Sequence, residues 1–238
     1  MQQNEDSLGE ALKDYWFNKE LDGEILIQSD IIDDDNMPVK LFFRSFEEMP
    51  ALEQNALQLA SGNILDIGAG AGCHATYLTS QGKKCMGLDI SEGACEVLKD
   101  QKLPFLQGNL FELTPTPIYD TILLLMNGIG ICGTLEKLPT LLTVLEKWLV
   151  PNGQILFDSS DVSYLFEEED GGSWINLNQQ YQGDFSFSMS YKNQQSSDFE
   201  WTYIDFESVK NIAEENNWEV SLIAEGPHYD YLASLSKK

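Results

Sequence analysis

Positive charge is scarce in this chain of 238 residues: 14 lysines and arginines stand against 39 aspartates and glutamates, giving a net charge of −25. The thirteen lysines are scattered and Arg44 is the single arginine, so no basic patch exists along the sequence. A chain of this sign repels phosphate backbones and anionic lipid surfaces before contact, which argues against nucleic acid and membrane as partners. Histidine occurs only at His74 and His228, and the four cysteines (Cys73, Cys85, Cys95, Cys132) lie at spacings of 12, 10 and 37 with no C-x-x-C pair. Neither a metal site nor a disulfide framework is expected from that set. The opening MQQNEDSLGE lacks the basic and apolar regions of a secretory signal. The longest apolar run, Ile118 to Ile131, is interrupted by Asp120, Asn127 and two glycines, so no bilayer span is expected. These absences together predict a cytoplasmic protein.

What is present is the composition of a globular protein, 42% hydrophobic and 22% charged, at a length that suits one α/β domain with a cap or insertion. Ser7-Leu8-Gly9-Glu10 has capping-box spacing and predicts a helix over 8–18. Asp33-Asp34-Asp35 marks a loop, Leu41 to Phe46 an aromatic stretch, and Pro50 opens a helix closed by Gly62. Strands and helices then alternate: strand 63–67, helix 71–81, strand 84–89, helix 92–100 capped by Ser91, strand 104–107, strand 119–126, helix 135–149 and strand 154–158. A hairpin around Asn193-Gln194-Gln195, a helix 206–216 capped by Asp205, and strands 218–224 and 230–235 complete the chain. The expected fold is therefore α/β, a doubly wound, mostly parallel seven-stranded sheet with helices on both faces, an N-terminal helical cap and an added β-hairpin after the fifth strand. Within one domain we expect a cap over 1–50, a ligand-binding core over 51–160, an inserted hairpin region over 161–204, and a closing helix and strands over 205–238.

The chemistry concentrates at Asp66-Ile67-Gly68-Ala69-Gly70-Ala71-Gly72, between the first core strand and its helix, where a parallel sheet presents its carboxyl ends to ligands. Glycines let the backbone turn tightly and come close to a ligand. The dinucleotide fingerprint G-x-G-x-x-G would require glycine at 73, where this chain has Cys73, so the pattern favours a ligand without a pyrophosphate. Leu88-Asp89-Ile90-Ser91 ends the second strand with a carboxylate 23 residues after Asp66, suited to accepting two hydroxyl hydrogen bonds side by side. With Ile64 to Gly72, Asp89 and the turn Pro151-Asn152-Gly153, the sequence over about 60–160 resembles class I S-adenosylmethionine-dependent methyltransferases.

The resemblance implies that Asp66, Gly68, Ala69 and Gly70 hold the methionyl part of S-adenosylmethionine and that Asp89 and Ile90 meet its ribose side. Asn109 and Leu110 would meet adenine, with Asn109 an amide where an acid is commoner, and Asn127 would follow the fourth strand. Arg44, flanked by Phe42, Phe43 and Phe46, is read either as a clamp on a carboxylate of cofactor or acceptor, or as an arginine stacked on surface aromatics. His74 and His228 are read as packing or capping residues. Tyr15, Trp16, Trp174, Tyr181 and Tyr203 line an acceptor pocket or pack the cap. Asp158, with Asp161 nearby, forms a pair that could bind a cationic acceptor or a metal, the metal reading lacking a third carboxylate at a recognisable spacing, and Glu167 to Asp170 is read as a solvated turn. Asn127-Gly128-Ile129-Gly130 differs from the Asn/Asp-Pro-Pro-Tyr/Phe motif of many amino-group methylases of nucleic acids and proteins. The expected activity is thus methyl transfer to a small-molecule acceptor, with no dedicated catalytic residue required. A nicotinamide-dependent oxidoreductase and an inactive cofactor-binding subunit are the alternatives.

Overall fold

The computed structural model describes residues 6–115, 119–166 and 181–238. In chain order the elements are α1 (Ser7–Lys13), prolonged by a π-helical turn at Asp14–Asn18, then β1 (Glu24–Ser29), β2 (Asp35–Pro38), α2 (Ala51–Leu59), β3 (Asn63–Ile67), α3 (Cys73–Ser80), β4 (Lys84–Asp89), α4 (Glu92–Asp100), β5 (Phe105–Gln107) and β6 (Tyr119–Leu124). The second half carries α5 (Leu138–Glu146), β7 (Leu149–Ser160), β8 (Asp184–Tyr191), β9 (Gln194–Gln195), β10 (Phe199–Thr202), α6 (Phe206–Glu215), β11 (Trp218–Glu225) and β12 (Asp230–Lys237).

The main sheet has seven strands in the order β11-β12-β7-β6-β3-β4-β5. Its five strands from β7 to β5 run parallel, and β12 enters antiparallel between β7 and β11. Side chains of α5 and α6 such as Leu141, Leu145, Val209 and Ala213 cover one face, packing on Ile122, Ile155 and Phe157. Leu52, Ala56 and Leu57 of α2 with Ala75 and Leu78 of α3 cover the other, on Ile64, Leu123, Leu156 and Leu232. The chain leaves β3 toward β4 and β5 on one side and returns to β6 and β7 on the other. The carboxyl ends of β3 and β6 therefore flank the point where such sheets bind ligands.

The cap differs from the helical one predicted for 1–50. Residues 24–38 form the hairpin β1–β2, and β1 pairs antiparallel with β8 from far down the chain, Leu26 opposite Ser190. The predicted hairpin around 193–195 is present as β8 with β9 and β10, but it belongs to the same five-stranded sheet as β1 and β2. The helix predicted over 135–149 is shorter: Leu135–Lys137 is a 3₁₀ turn, and Leu149 already begins β7. Leu149 is buried in the same cluster as Leu142 and Leu145, so its apolar spacing satisfied a helix pattern while its backbone belongs to the strand. The Pro151-Asn152-Gly153 turn is absorbed as an irregularity in the β6–β7 register.

Besides the burial of Ala11 and Leu12 against Ala94 and Val97, α1 is fastened to α4 through one carboxylate. Asp6 Oδ1 accepts from Gly9 N at 2.9 Å, while Oδ2 accepts from Ser91 Oγ at 2.9 Å and Gly93 N at 3.0 Å. Gly9 and Gly93 lie so close that a Cβ on Gly93 would stand 2.4 Å from the Gly9 carbonyl. One carboxylate thus supplies the N-terminal ends of two helices with acceptors.

Candidate active site

The glycine loop leaves β3 under β4: Gly68 N and Ala69 N both donate to Leu88 O, at 2.8 and 3.2 Å. Gly68, Gly70 and Gly72 all have positive φ, at 72°, 53° and 80°, a region that side chains with a Cβ rarely adopt. Beyond that shared need they differ. A Cβ on Gly72 would strike Leu98 and Leu103 at 2.5 and 2.8 Å, so this glycine lets α3 pack close to α4 and the loop that follows it. A Cβ on Gly70 would meet Phe42 at 3.2 Å, so the cap's aromatic stretch rests on the loop there. A Cβ on Gly68 would meet nothing within 4 Å: the loop opens to free space at this residue.

Asp89 closes the loop from the neighbouring strand. Its Oδ2 accepts from Gly70 N at 2.7 Å and its Oδ1 from Ser91 N at 2.8 Å, leaving each oxygen a further lone pair. Burial pushes its carboxyl up from the usual range, and the two N–H groups pull it part of the way back. Ile90 beside it is 50% exposed, an apolar side chain standing open at the carboxyl end of β4. Past β5, Asn109 Oδ1 accepts from Phe111 N at 3.0 Å and its Nδ2 donates to Glu112 at 3.0 Å. Asn109 thus folds its own turn, and Leu110 is buried.

Arg44 lies at the end of a buried chain of charges that the sequence does not reveal. Its Nη2 reaches both carboxylate oxygens of Glu53 at 3.0 Å, Glu53 Oε2 lies 2.9 Å from His74 Nε2, and His74 Nδ1 lies 3.6 Å from Asp66 Oδ1. The Arg44 side chain is only 12% exposed, which removes the surface-stacked reading. His74 and Glu53 were not singled out as functional, yet both are buried in this chain. The available signal was Glu53 itself, an acid sharing one helical face with Leu52, Ala56 and Leu57. Burial opposes a charge on His74, but Cys73, Asp66 and Glu53 outweigh it and hold the imidazole well above the usual histidine range. Two polar atoms at the ends of the chain are buried without a hydrogen-bond partner: Arg44 Nε, a donor, and Asp66 Oδ2, an acceptor.

On the β6 side, Met126 and Asn127 are consecutive non-glycine residues with φ of 59° and 56°. Such strained turns persist where their surroundings hold them. Here Asn127 N donates to Asp158 Oδ1 at 3.2 Å, Nδ2 donates to Thr202 O at 3.2 Å, and Oδ1 accepts from Ser159 Oγ at 2.8 Å. Trp201 Nε1 of β10 donates to Asn127 O at 3.2 Å, which seats the cap sheet on this turn. Burial raises the Asp158 carboxyl to about 7, the Asn127 N–H opposes the rise, Glu53 adds to it and His74 subtracts. Tyr203 lies close enough to Asp158 and Tyr164 for both to raise its hydroxyl beyond the effect of burial.

The remaining sequence candidates are placed as follows. Tyr15 and Trp16 stack on Phe43, with ring centroids 4.3 and 5.9 Å apart, and Trp16 Nε1 donates to Asp100 at 2.8 Å, so both pack the cap. Tyr181 bonds Asp205 and helps cap α6. Asp161 accepts from Ser163 N, and His228 lies in an exposed turn next to Asp230. Trp174 and the acidic run 167–170 lie outside the described residues. Among the described residues no group of three or more His, Cys, Asp or Glu could hold a metal ion.

Comparison with known proteins agrees with this geometry. A family model described as a methyltransferase domain matches residues 64–153, from β3 into β7. A crystal structure of an S-adenosylmethionine-dependent methyltransferase from Bacteroides fragilis, in complex with S-adenosylhomocysteine, is 42% identical over 100% of this chain and 97% of that one, with a TM-score of 0.93. The sugar N-methyltransferase KedS8 from Streptoalloteichus, 12% identical over 89% of this chain and 97% of that one at a TM-score of 0.58, shares the fold. A protein arginine N-methyltransferase 1 from Chlamydomonas reinhardtii is 30% identical over 52% of this chain, which spans 38% of that protein's length. The open glycine loop beside a strand-end carboxylate, in a sheet of this order, and the full-length match together show that the chain belongs to the class I S-adenosylmethionine-dependent methyltransferases.

Proposed function

We propose that this enzyme methylates a small-molecule acceptor in the cytoplasm, holding its cofactor through Asp66, Gly68, Ala69, Gly70, Asp89, Ile90, Asn109, Leu110 and Asn127, with Arg44 at the carboxylate end. The observation that carries the cofactor part is the opening at Gly68 next to the Asp89 carboxylate. The two orphaned atoms fit the same ligand, because an amino-acid end presents an ammonium to Asp66 Oδ2 and a carboxylate to Arg44 Nε. The Asp89 oxygens, each with a free lone pair, suit the two ribose hydroxyls, and exposed Ile90 supplies an apolar surface for the base. When bound, the cofactor supplies an electrophilic methyl group. The protein aligns the acceptor and excludes water.

A small acceptor is favoured by the cover over the crevice. Phe42 rests on the loop at Gly70, and Trp201 of the cap sheet reaches Asn127 across the β6 side, so the crevice is roofed from both sides. Asp158, Trp174 and Tyr203 are the acceptor candidates within this reading, Tyr15 and Trp16 being engaged in the cap through Phe43. Four buried free thiols accord with a reducing compartment, and no described helix is long and apolar enough to cross a membrane. A protein side chain is the second reading, favoured by the algal relative and by an acidic surface that attracts basic peptides. The test is transfer of labelled methyl from S-adenosylmethionine to a metabolite extract against an arginine-rich peptide. Label in small molecules alone supports the first reading, and label in the peptide supports the second.

A further inference from the structure

Five ionisable side chains lie within reach of one another on the α2/α3 side: Glu53 and Asp66 are buried acids and His74 a buried base, while the acid Asp158 and the base Arg44 are half-buried. The two bases are spent within this group, Arg44 on Glu53, and His74 on Glu53 and Asp66. Among the described residues Asp158 forms no ion pair. Its Oδ1 is held by the amide of Asn127 in the strained turn, and its Oδ2 has no hydrogen-bond partner among the described residues. It lies near the carboxyl end of β7, next to the β6 turn at Asn127 and within electrostatic reach of Glu53 and His74. Tyr203 lies within electrostatic reach of Asp158, and Tyr164, stacked on Tyr229 with centroids 5.0 Å apart, lies within reach of Tyr203. A carboxylate lacking a cation and edged by tyrosines is a recognition element for an organic ammonium.

We propose that Asp158 binds the methyl acceptor, that the acceptor is an amine, and that Asp158 Oδ2 takes the proton that must leave its nitrogen before attack. This rests on the methyltransferase reading above and deepens it. The bound ammonium gives one N–H proton to Asp158. The freed nitrogen lone pair forms the new N–CH₃ bond while the S–CH₃ bond breaks, its electron pair staying on sulfur to give S-adenosylhomocysteine. The methylated product is again an ammonium, and Asp158 passes its proton to solvent as the crevice opens. A carboxylate titrating near neutrality is matched to this role. The charged groups that set its titration are Glu53 from α2 and His74 from α3, and Tyr203 after β10 and Tyr231 from β12 lie within its electrostatic reach. A carboxylic acid acceptor would meet a like charge, and an alcohol would leave Asp158 unpaired.

The test uses protein loaded with S-adenosylhomocysteine and three probes with one ring and different heads: benzylamine, benzyl alcohol and benzoate. Ligand-observed NMR at about pH 8, where Asp158 is ionised, should show benzylamine binding in preference to the others. Asp158→Asn should weaken it by about 10-fold or more, as expected for loss of a charged hydrogen bond, and Tyr203→Leu by less. Turnover with a panel of primary and secondary amines should exceed that with alcohols and carboxylates, and Asp158→Asn should lower kcat/KM by about 100-fold or more. Affinity for S-adenosylhomocysteine should fall less than affinity for the amine in both variants, because Asp158→Asn keeps the Oδ1 that accepts from Asn127 N and Tyr203 is not among the cofactor residues proposed above. Binding that ignores the amine, an Asp158→Asn variant with wild-type amine binding, or turnover confined to alcohols or carboxylates would overturn the proposal. Failure of the wild type to bind S-adenosylhomocysteine would instead overturn the cofactor reading on which it rests.

Discussion

The amide of Gly70 donates to Asp89 Oδ2 over 2.7 Å, so the carboxylate at the end of β4 shapes the glycine loop in addition to the ribose contact proposed for it. Asp89→Ala should weaken S-adenosylhomocysteine binding by about 10-fold to 100-fold, since hydrogen bonds to a charged group contribute about 1.5–3 kcal/mol. Asp89→Asn, which retains one acceptor, should cost less. Calorimetry with circular dichroism as a fold control checks both, and an alanine variant with wild-type affinity would remove Asp89 from the cofactor.

The three loop glycines should fail in different ways. Gly68→Val points a branched side chain into open space, so it should abolish cofactor binding while leaving the protein folded, apart from the strain of a positive φ that costs about 1–2 kcal/mol. Gly72→Val drives its side chain into Leu98 and Leu103, so it should unfold the protein or lower its melting temperature sharply. Binding retained by Gly68→Val would move the cofactor away from the loop.

Glu53 joins Arg44 and His74 through the same oxygen, and removing it strands two buried bases. Glu53→Gln should lower stability by about 3–5 kcal/mol, the cost of breaking a buried ion pair from one side. It should also bring the His74 titration down toward neutrality. The sign follows from the raised imidazole: its contribution to stability is complete below its unfolded value of about 6.5 and is lost as pH rises through the higher folded value. Denaturant unfolding and histidine NMR titration measure the two effects, and a variant as stable as wild type would mean that the chain of charges adds nothing to the fold.

Asp158 has the opposite consequence for the resting protein. Its folded carboxyl titrates near 7 against an ordinary value of 3.8, so the folded state binds the proton more tightly and stability falls as pH rises between those values. Cofactor-free Asp158→Asn should therefore be more stable than wild type at pH 8 by about 1–3 kcal/mol, with the gain vanishing near pH 4. Equal stability of the two proteins at both pH values would show that the acid is not strained in the free enzyme.

The glycine loop and the strand-end carboxylate were legible because their determinants are local. Asp66 to Gly72 and Asp89 each lie at a strand end whose position follows from apolar runs and glycines, and the α/β alternation orders those strands. The cap was not legible for the opposite reason: β1 finds its partner β8 across the intervening sheet, and Ile25, Ile27, Phe185 and Phe187 do not announce which strand they will meet. The buried charges are a third case. Arg44, Glu53, His74 and Asp66 come from four segments joined only by tertiary packing, and an acid on an apolar helical face was the one local trace. Asp158 was a candidate from its place after the fifth strand, but that it forms no ion pair among the described residues could be seen only with Arg44 and His74 engaged on Glu53.

The most direct measurement is isothermal titration of the purified protein with S-adenosylmethionine, S-adenosylhomocysteine and NAD. Because Gly68 opens beside Asp89 and Cys73 stands where a pyrophosphate-seating glycine would fall, both sulfur ligands should bind one per chain and NAD should give no heat. Binding of NAD alone, or of none of the three, would contradict the assignment of this crevice to S-adenosylmethionine.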